Sequence, residues 1–368
     1  MIKVLIVFGT RPEAIKVAPV IQELKNYPGK FKVVTCATAQ HRRMLDQVLD
    51  IFTIKADMDL DIMQKNQTLY SLTSRVMERV SRILEQVKPD LVLVQGDTTT
   101  AMVVSLAAFY QKIPVGHIEA GLRTHDIYNP FPEEVNRRLI SVLSTLNFAP
   151  TKTAAAFLRT EGIDKKRIFL TGNTVVDALR MISRHACSPP HGVVPTDTKI
   201  ILVTAHRREN FGQPLRNICA AIRAIAEENK NVHIVYPVHL NPNVNRVVHQ
   251  RLHNHPRITL IPPVDYRELV WLLKKSYLVL TDSGGIQEEA PTFGKPVIVM
   301  REVTERPEGI RAGVAQLAGT DTGTIVKKVT TLLNNKKAYA RMARAGNPYG
   351  DGKAAQRISR AITAYFRL

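Results

Sequence analysis

Short apolar runs that alternate with helix-like segments are the feature that most constrains this chain. The runs are rich in Val, Ile and Leu at successive positions, so the strands they predict have no face suited to water. Such strands are typical of parallel sheets that helices cover on both faces. In the first half of the chain, strands are predicted at Lys3–Phe8, Lys32–Thr38, Leu91–Gln95, Val115–Ile118, Leu146–Ala149 and Ile168–Thr171.

The same pattern restarts in the second half. Further strands are predicted at Ile200–Val203, His233–Pro237, Ile258–Ile261, Tyr277–Thr281 and Pro296–Val299. Two such series indicate two doubly wound, Rossmann-like α/β domains, and 368 residues exceed what one core usually supports. We place the N-terminal domain at residues 1–172 and the C-terminal domain at 173–368. Two such domains facing a central cleft bind ligands at the carboxyl ends of their strands.

Composition excludes several classes of protein. Hydrophobic residues make up 45% of the chain and charged residues 23%, as in an ordinary soluble protein. No apolar run reaches the roughly 18 residues that span a bilayer, and the N-terminal run Ile2–Phe8 predicts a buried strand rather than a signal peptide. Cys36, Cys187 and Cys219 are scattered without metal-ligand spacing, which predicts free thiols and a cytoplasmic location.

The net charge of +19 is concentrated in the second half. Residues 151–368 carry 33 Lys and Arg against 17 Asp and Glu, whereas residues 1–150 carry 18 against 15. A basic domain can bind nucleic acid, a membrane surface or an anionic small molecule, or it can simply be a solvated basic surface. Because no nucleic-acid motif and no aromatic interleaving accompany the cations, we expect neither nucleic acid nor a membrane as partner.

Three polar clusters follow predicted strands in the first half. Arg11 and Lys16 come after the first strand, where Gly9 and Pro12 favour a turn into a helix whose N-terminus could bind an anion. Asp97, Glu119 and Glu133 follow later strands or loops, and separate carboxylates of this kind suit proton removal and delivery. Helix capping and ordinary surface loops are the alternative interpretations of the same residues.

Two further clusters lie in the second half. His206, followed by Arg207 and Arg208, comes at the end of a predicted strand and suits a diphosphate, although a polar loop is an equally good interpretation. The segment Asp282–Ala290 is a strand end, a Ser-Gly-Gly turn and the start of a helix. Its glycines would let backbone N–H groups approach phosphate oxygens. It is neither a Walker loop nor a dinucleotide-binding turn.

At these residues the sequence closely resembles the non-hydrolysing UDP-N-acetylglucosamine 2-epimerases. The matching segments, in chain order, are 8–16, 96–100, 117–123, 132–137, 171–174, 205–210, 237–243, 282–290 and 347–352. The resemblance implies the two-domain GT-B fold, with a last helix at about 353–368 packed back on the first domain. It also implies a homodimer that needs no metal and no cofactor.

The resemblance assigns roles to particular residues. The catalytic positions it implies are Asp97, Glu119, Glu133 and His206. The substrate-binding positions it implies are Arg11, Lys16, Asp97, Glu119, His206, Val264, Leu269, Ser283, Gly284, Gly285, Glu289 and Arg306. The reaction it implies is reversible epimerisation at C2 through elimination of UDP to 2-acetamidoglucal and re-addition. A hydrolysing 2-epimerase, a GT-B glycosyltransferase and a basic nucleic-acid or membrane-surface binding protein are the alternatives.

The resemblance also points to a possible allosteric site for UDP-N-acetylglucosamine. Its positions here are Gln40, Arg43, Asn66, Gln67, Arg207 and His239. Activated relatives tend to have Gln where this chain has Arg43 and Arg where it has Asn66. Because Asn has neither the charge nor the forked donors of Arg, we expect weaker coupling between this site and the active centre.

Overall fold

A computed structural model describes residues 1–38, 42–62, 67–185, 187–193 and 197–368, without the side chains of residues 42–44. The chain divides into two compact units. Unit 1 consists of Met1–Met181 together with Tyr349–Leu368, and unit 2 consists of Ile182–Pro348. Each unit is built on its own parallel sheet, so the predicted pair of doubly wound α/β domains is confirmed.

Unit 1 has a seven-stranded sheet in the order β3-β2-β1-β4-β5-β6-β7. Its strands are β1 (Ile2–Phe8), β2 (Phe31–Ala37), β3 (Met58–Asp59), β4 (Leu91–Gln95), β5 (Val115–Ile118), β6 (Leu146–Ala149) and β7 (Ile168–Leu170). Its helices are α1 (Arg11–Lys25), α2 (Arg42–Ile51), α3 (Leu69–Val87), α4 (Thr99–Tyr110), α5 (Glu133–Leu143), α6 (Lys152–Thr160), α7 (Thr174–Ser183) and, after unit 2, α15. The central strands β4 and β5 are buried along their whole length, as their apolar runs predict.

Unit 2 has a six-stranded parallel sheet in the order β10-β9-β8-β11-β12-β13. Its strands are β8 (Lys199–Thr204), β9 (Val232–Pro237), β10 (Ile258–Ile261), β11 (Ser276–Thr281), β12 (Val297–Val299) and β13 (Ala315–Leu317). Its helices are α8 (Gln213–Glu228), α9 (Pro242–Leu252), α10 (Tyr266–Lys275), α11 (Gly284–Glu289), α12 (Pro307–Arg311), α13 (Thr322–Asn334) and α14 (Lys336–Ala343), and α15 (Ala354–Phe366) then belongs to unit 1.

Two strands of the structure were not among those predicted. Met58–Asp59 and Ala315–Leu317 form β3 and β13, which are edge strands of their sheets. Each is only two or three residues long. A strand at an edge pairs on one side only and needs little apolar sequence, so no run of Val, Ile or Leu marks it.

The predicted boundary after Gly172 lies inside unit 1, and hydrogen bonds explain why. The Asn173 N–H donates to the Tyr349 carbonyl at 2.7 Å. The buried Asp177 carboxylate accepts the N–H groups of Ala354 (3.2 Å) and Ala355 (3.0 Å), which begin α15. The start of α7 is therefore bonded to the returning C-terminal segment, and α15 packs against α1.

The order of the strands decides which loops are neighbours. In unit 1, β1, β4 and β5 lie side by side, and in unit 2, β8, β11 and β12 do. Since all strands in each sheet are parallel, their carboxyl ends meet at one edge, where the predicted polar clusters begin. Among the described residues no helix is long and apolar enough to cross a membrane.

The substitution Asp177→Ala tests the attachment of α15. It removes the acceptor of two N–H groups at the first turn of that helix, so we expect a loss of about 1–2 kcal/mol in unfolding free energy by urea titration. Amide hydrogen exchange in Ala355–Ala361 should also become faster. Asp321→Ala is the control, since Asp321 caps α13 of unit 2 by accepting the Thr324 N–H at 2.8 Å. Unchanged exchange in α15 of Asp177→Ala would contradict this interpretation.

Candidate active site

Glu119, directly after β5, is the most constrained of the predicted carboxylates. Its Oε1 accepts hydrogen bonds from Lys16 Nζ at 2.5 Å and from Asn173 Nδ2 at 2.9 Å. Its Oε2 accepts from Gln95 Nε2 at 2.5 Å. The three donors come from α1, β4 and the loop before α7, and the donor from α1 is a charged ammonium group.

The backbone at Glu119 adopts an unusual conformation. Its φ of 70° lies in the left-handed region, which residues with a side chain rarely occupy. Two hydrogen bonds support the turn, because the N–H groups of Glu119 and Ala120 both donate to the Phe148 carbonyl, at 3.1 and 3.0 Å. Strained backbone that neighbouring hydrogen bonds hold in place is found most often at functional sites.

Asp97, which follows β4, is held by an arginine. Arg137 Nε donates to Asp97 Oδ2 at 2.8 Å, and the terminal nitrogen of the same guanidinium approaches that oxygen at 2.7 Å. The other arm of the guanidinium pairs with the buried Glu134 at 3.2 Å. Although burial alone would raise the pKa of Glu134, the Thr124 N–H and Arg137 lower it below its usual value. Asp97 is thus oriented from α5, while its side chain stays partly exposed.

Glu133 differs from the other two carboxylates. It is the first residue of α5 and is half-buried. Among the described residues its side chain makes no hydrogen bond or ion pair, and neither does that of Arg11, the first residue of α1. Both side chains are free to turn towards a ligand, whereas hydrogen bonds from three side chains hold the carboxylate of Glu119.

Glu13 holds the turn that leads into α1. Glu13 forms a capping box with Thr10 and accepts the N–H groups of Gly9 and Thr10 at 2.9 and 2.7 Å. Its second oxygen accepts from Thr98 Oγ1 at 2.7 Å, which ties the loop to the start of α4. Burial raises the pKa of Glu13 against these hydrogen bonds. Glu13 therefore occupies the two N–H groups that come just before the helix, and anion binding by Arg11, Lys16 and the first turn of α1 stays a prediction.

In unit 2, Asp282 at the end of β11 organises the loop that follows β8. Its Oδ2 accepts the N–H groups of His206 and Arg207, both at 2.8 Å, and Asn210 Nδ2 at 3.0 Å. Asp282 is fully buried. The predicted His206–Arg207 cluster therefore has its backbone fixed by one carboxylate on the neighbouring strand.

The His206 ring stacks on His239, with ring centroids 5.3 Å apart and planes 14° from parallel. His239 follows β9, so the stack joins two adjacent strand ends. Burial lowers the pKa of His206; Asp282 opposes this shift, and His239 and Arg207 add to it. A lowered pKa favours the neutral imidazole, which can accept a proton from a ligand through one ring nitrogen.

The two glycines of the Ser-Gly-Gly turn, Gly284 and Gly285, differ in the space around them. A Cβ on Gly284 would lie 2.9 Å from Glu305 Oε1, whereas one on Gly285 would meet nothing closer than Ser283 Oγ at 3.9 Å. A Cβ at 284 would therefore displace the Glu305 carboxylate that pairs with Arg207, whereas position 285 has room for one. Glu289 is the last residue of that helix and is buried.

Arginines surround this turn. Arg306 Nε donates to Glu288 of α11, and Glu305 pairs with Arg301 and with Arg207, the latter at 3.2 Å. Burial alone would raise the pKa of Glu305, but Arg306 and Arg301 lower it to about 2. The arginine side chains are therefore oriented by ionised carboxylates.

The remaining predicted residues lie apart from these contacts or outside the described residues. Val264 comes just before Asp265, the N-cap of α10, and Leu269 lies in the first turns of that helix. Both residues follow β10, which β9 separates from β8 in the sheet. Of the possible allosteric residues, Gln40, Asn66 and the side chain of Arg43 lie outside the described residues. Gln67 accepts from Arg75 at 2.9 Å. A second site at these positions stays a prediction.

Sequence reasoning missed the residues that hold the predicted ones in place. These are Gln95, Arg137, Asn173, Asn210 and Asp282. The available signal was a polar residue at the end of an apolar strand, which Gln95 and Asp282 both show. Asn173 carried no such signal because it stood at the predicted domain boundary.

Comparisons with known proteins agree with one another. The family model described as UDP-N-acetylglucosamine 2-epimerase matches residues 22–363. A Salmonella typhimurium protein named UDP-N-acetylglucosamine 2-epimerase is 52% identical over 372 residues, which cover 99% of each chain. The chain belongs to the UDP-N-acetylglucosamine 2-epimerase family.

Solved structures support the same assignment. The Neisseria meningitidis UDP-GlcNAc 2-epimerase bound to UDP-GlcNAc is 47% identical, has a TM-score of 0.89 and covers 98% of this chain and 100% of its own. The S. aureus MnaA–UDP structure is 46% identical with a TM-score of 0.89, covering 100% of this chain and 98% of its own. The epimerase-family chain therefore has the predicted GT-B type of fold, with two doubly wound domains.

Buried His117 predicts a pH dependence of stability. Its Nε2 donates to the Gly96 carbonyl at 2.7 Å, and burial lowers its pKa to about 4. Between pH 6.5 and 4 the unfolded chain therefore binds a proton that the folded chain does not, so the unfolding free energy falls as the pH falls. His117 should contribute about 1 kcal/mol per pH unit in this window.

Urea unfolding at pH 7 and pH 4.5 measures this effect. The variant His117→Gln should show a shallower loss of stability on acidification than the unmodified protein, whatever its stability at pH 7. His191→Gln, at an exposed histidine, is the control and should keep the original slope. Equal slopes for His117→Gln and the unmodified protein would contradict the assignment.

Proposed function

We propose that this protein interconverts UDP-N-acetylglucosamine and UDP-N-acetylmannosamine without hydrolysis. The observation that carries the proposal is the way Glu119 is held. Lys16 Nζ lies 2.5 Å from its carboxylate, and its backbone has a φ of 70°. The family membership supports it, as do the UDP-GlcNAc and UDP named for the Neisseria and S. aureus structures.

The chemistry of the substrate favours elimination. The C2 proton is not adjacent to a carbonyl, so its direct removal as a proton would leave an unstabilised carbanion. In the proposed reaction the C1–O bond breaks as C2 loses its proton, and UDP departs with the bonding electrons. The products are 2-acetamidoglucal and UDP. Re-addition of UDP at C1, with a proton delivered to the opposite face of C2, completes the epimerisation.

Unit 1 supplies the groups that transfer protons. Glu119 is held by three side-chain donors, whereas Asp97 is oriented by Arg137 and Glu133 is unpaired among the described residues. Carboxylates in such different settings suit a division into base, acid and electrostatic stabiliser. Lys16, beside Glu119, and Arg11 would stabilise negative charge that develops on the departing diphosphate.

Unit 2 supplies the groups that bind the nucleotide. His206 and Arg306, with the N–H groups that follow Ser283, would bind and stabilise the diphosphate. Glu289 would accept hydrogen bonds from the ribose hydroxyls. Val264 and Leu269 would lie near the uracil. The cations of both units supply the charge stabilisation in this scheme, so the proposal includes neither a metal nor a cofactor.

The proposal extends to the setting of the enzyme. By its resemblance to the family, we expect a cytoplasmic homodimer. The described cysteines, Cys36, Cys187 and Cys219, are free thiols, which is typical of a reducing compartment.

Proton NMR in D2O tests the reaction. With UDP-N-acetylglucosamine the protein should form UDP-N-acetylmannosamine that carries deuterium at C2, because a proton taken from C2 exchanges with solvent before the return step. Glu85→Gln, at an exposed position of α3, is the matched control and should behave as the unmodified protein. Free N-acetylmannosamine as the main product would instead show a hydrolysing enzyme.

Carboxamide variants test the roles of the three carboxylates. Asp97→Asn, Glu119→Gln and Glu133→Gln should each lower kcat on the order of 100-fold, the usual contribution of a general acid or base. UDP affinity should change only a few-fold in each, because these residues handle the sugar. Near-full activity in all three variants would show that the carboxylates cap and orient other groups instead.

A further inference from the structure

Asp282 uses its two oxygens very differently. Oδ2 accepts three N–H donors at 2.8–3.0 Å. Oδ1 is equally buried, and no group among the described residues donates a hydrogen bond to it. Burying a carboxylate oxygen without a donor costs free energy, so a nearby donor that turns towards this oxygen stabilises the folded protein.

A side-chain donor close to Oδ1, and not engaged by Oδ2, is the His206 ring. Its Nδ1 lies 3.8 Å from Asp282 Oδ1, about 1 Å longer than a hydrogen bond. The His206 backbone is already fixed by Oδ2 of the same carboxylate. A small rotation of the side chain therefore brings Nδ1 into hydrogen-bond range without moving the loop.

The neighbouring imidazole does not compete for this role. His239 Nδ1 accepts the Asn241 N–H at 3.1 Å, so a neutral His239 carries its proton on Nε2. His239 stacks face to face on His206, which limits the tilt of the His206 ring. Arg207 is turned to Glu305, so its guanidinium is engaged elsewhere.

We propose that Asp282 is a positioning residue that holds the His206 imidazole with its proton on Nδ1. The other nitrogen, Nε2, then carries the lone pair and is the atom offered to a ligand. The same carboxylate fixes the backbone of His206 and Arg207, so one buried charge sets both the position and the tautomer of the ring.

The consequence for catalysis rests on the proposed function. A proton that reaches Nε2 forms an imidazolium whose Nδ1–H faces the Asp282 carboxylate, so the charged form is stabilised where it is produced. Such a ring can donate a hydrogen bond or a proton through Nε2 to an oxygen of the departing UDP, and take it back in the return step.

The test reads the tautomer directly, without any activity. Protein labelled with 15N-histidine is compared by 15N NMR with His206→Gln, which assigns the two ring signals. We expect a protonated Nδ1 and an unprotonated Nε2 for His206 at a pH where the ring is neutral. A neutral His206 with its proton on Nε2 in the unmodified protein would overturn the proposal, whatever any variant does.

Two variants separate positioning from simple loop support. In Asp282→Asn the amide oxygen can keep the backbone N–H groups while its NH2 faces Nδ1, so the proton of His206 should move to Nε2. Asn210→Ala removes one donor to Oδ2 and leaves Oδ1 untouched, so it should keep the original tautomer. An unchanged tautomer in a folded Asp282→Asn would also overturn the proposal.

Turnover then connects the tautomer to the reaction. Asp282→Asn should lower kcat on the order of 100-fold, with KM and UDP affinity changed only a few-fold. Asn210→Ala should lower kcat less than Asp282→Asn does, because it weakens support of the loop but leaves the carboxylate in place. If the unmodified protein shows the expected tautomer but no epimerase activity, the proposed function fails and the positioning role of Asp282 stands.

Discussion

The burial of both sheets from water on their two faces is the constraint on which the rest of the structure depends. Strands such as β4 and β5 are buried at every position, so a charged side chain has no place along them. Most of the polar groups of the candidate site therefore lie at or beyond the strand ends, where the chain turns into loops and helix starts. Gln95 and Glu119 lie at two such neighbouring ends, which is why residues far apart in the chain bond to each other.

Four of the buried carboxylates differ from Glu119 in what holds them. Glu13, Glu134, Asp177 and Asp282 each accept at least two backbone N–H groups, so they fix loops and helix starts. The described hydrogen bonds to the Glu119 carboxylate come instead from the side chains of Lys16, Gln95 and Asn173. Side chains can rearrange around a substrate more readily than a backbone can. This distinction separates the scaffold of the site from the group proposed to react.

The fold was predictable to the extent that it rests on apolar runs. The central strands of both sheets carry such runs, and the pair of doubly wound domains followed from their spacing. The edge strands β3 and β13 carry none, since a two- or three-residue strand needs only one partner. The division of the chain was also hidden, because it depends on contacts between residues such as Asp177 and Ala355, which lie far apart in the sequence.

The sequence by itself determined the family, the two-domain α/β fold and the residue types of the candidate site, because motifs and apolar periodicity are local properties. Only the tertiary structure decided what each polar residue does. Glu13 holds the turn before α1, Arg137 orients Asp97, and Asp282 holds the loop of His206. These roles depend on which strand ends become neighbours, and that order is set by the packing of whole sheets rather than by any short segment.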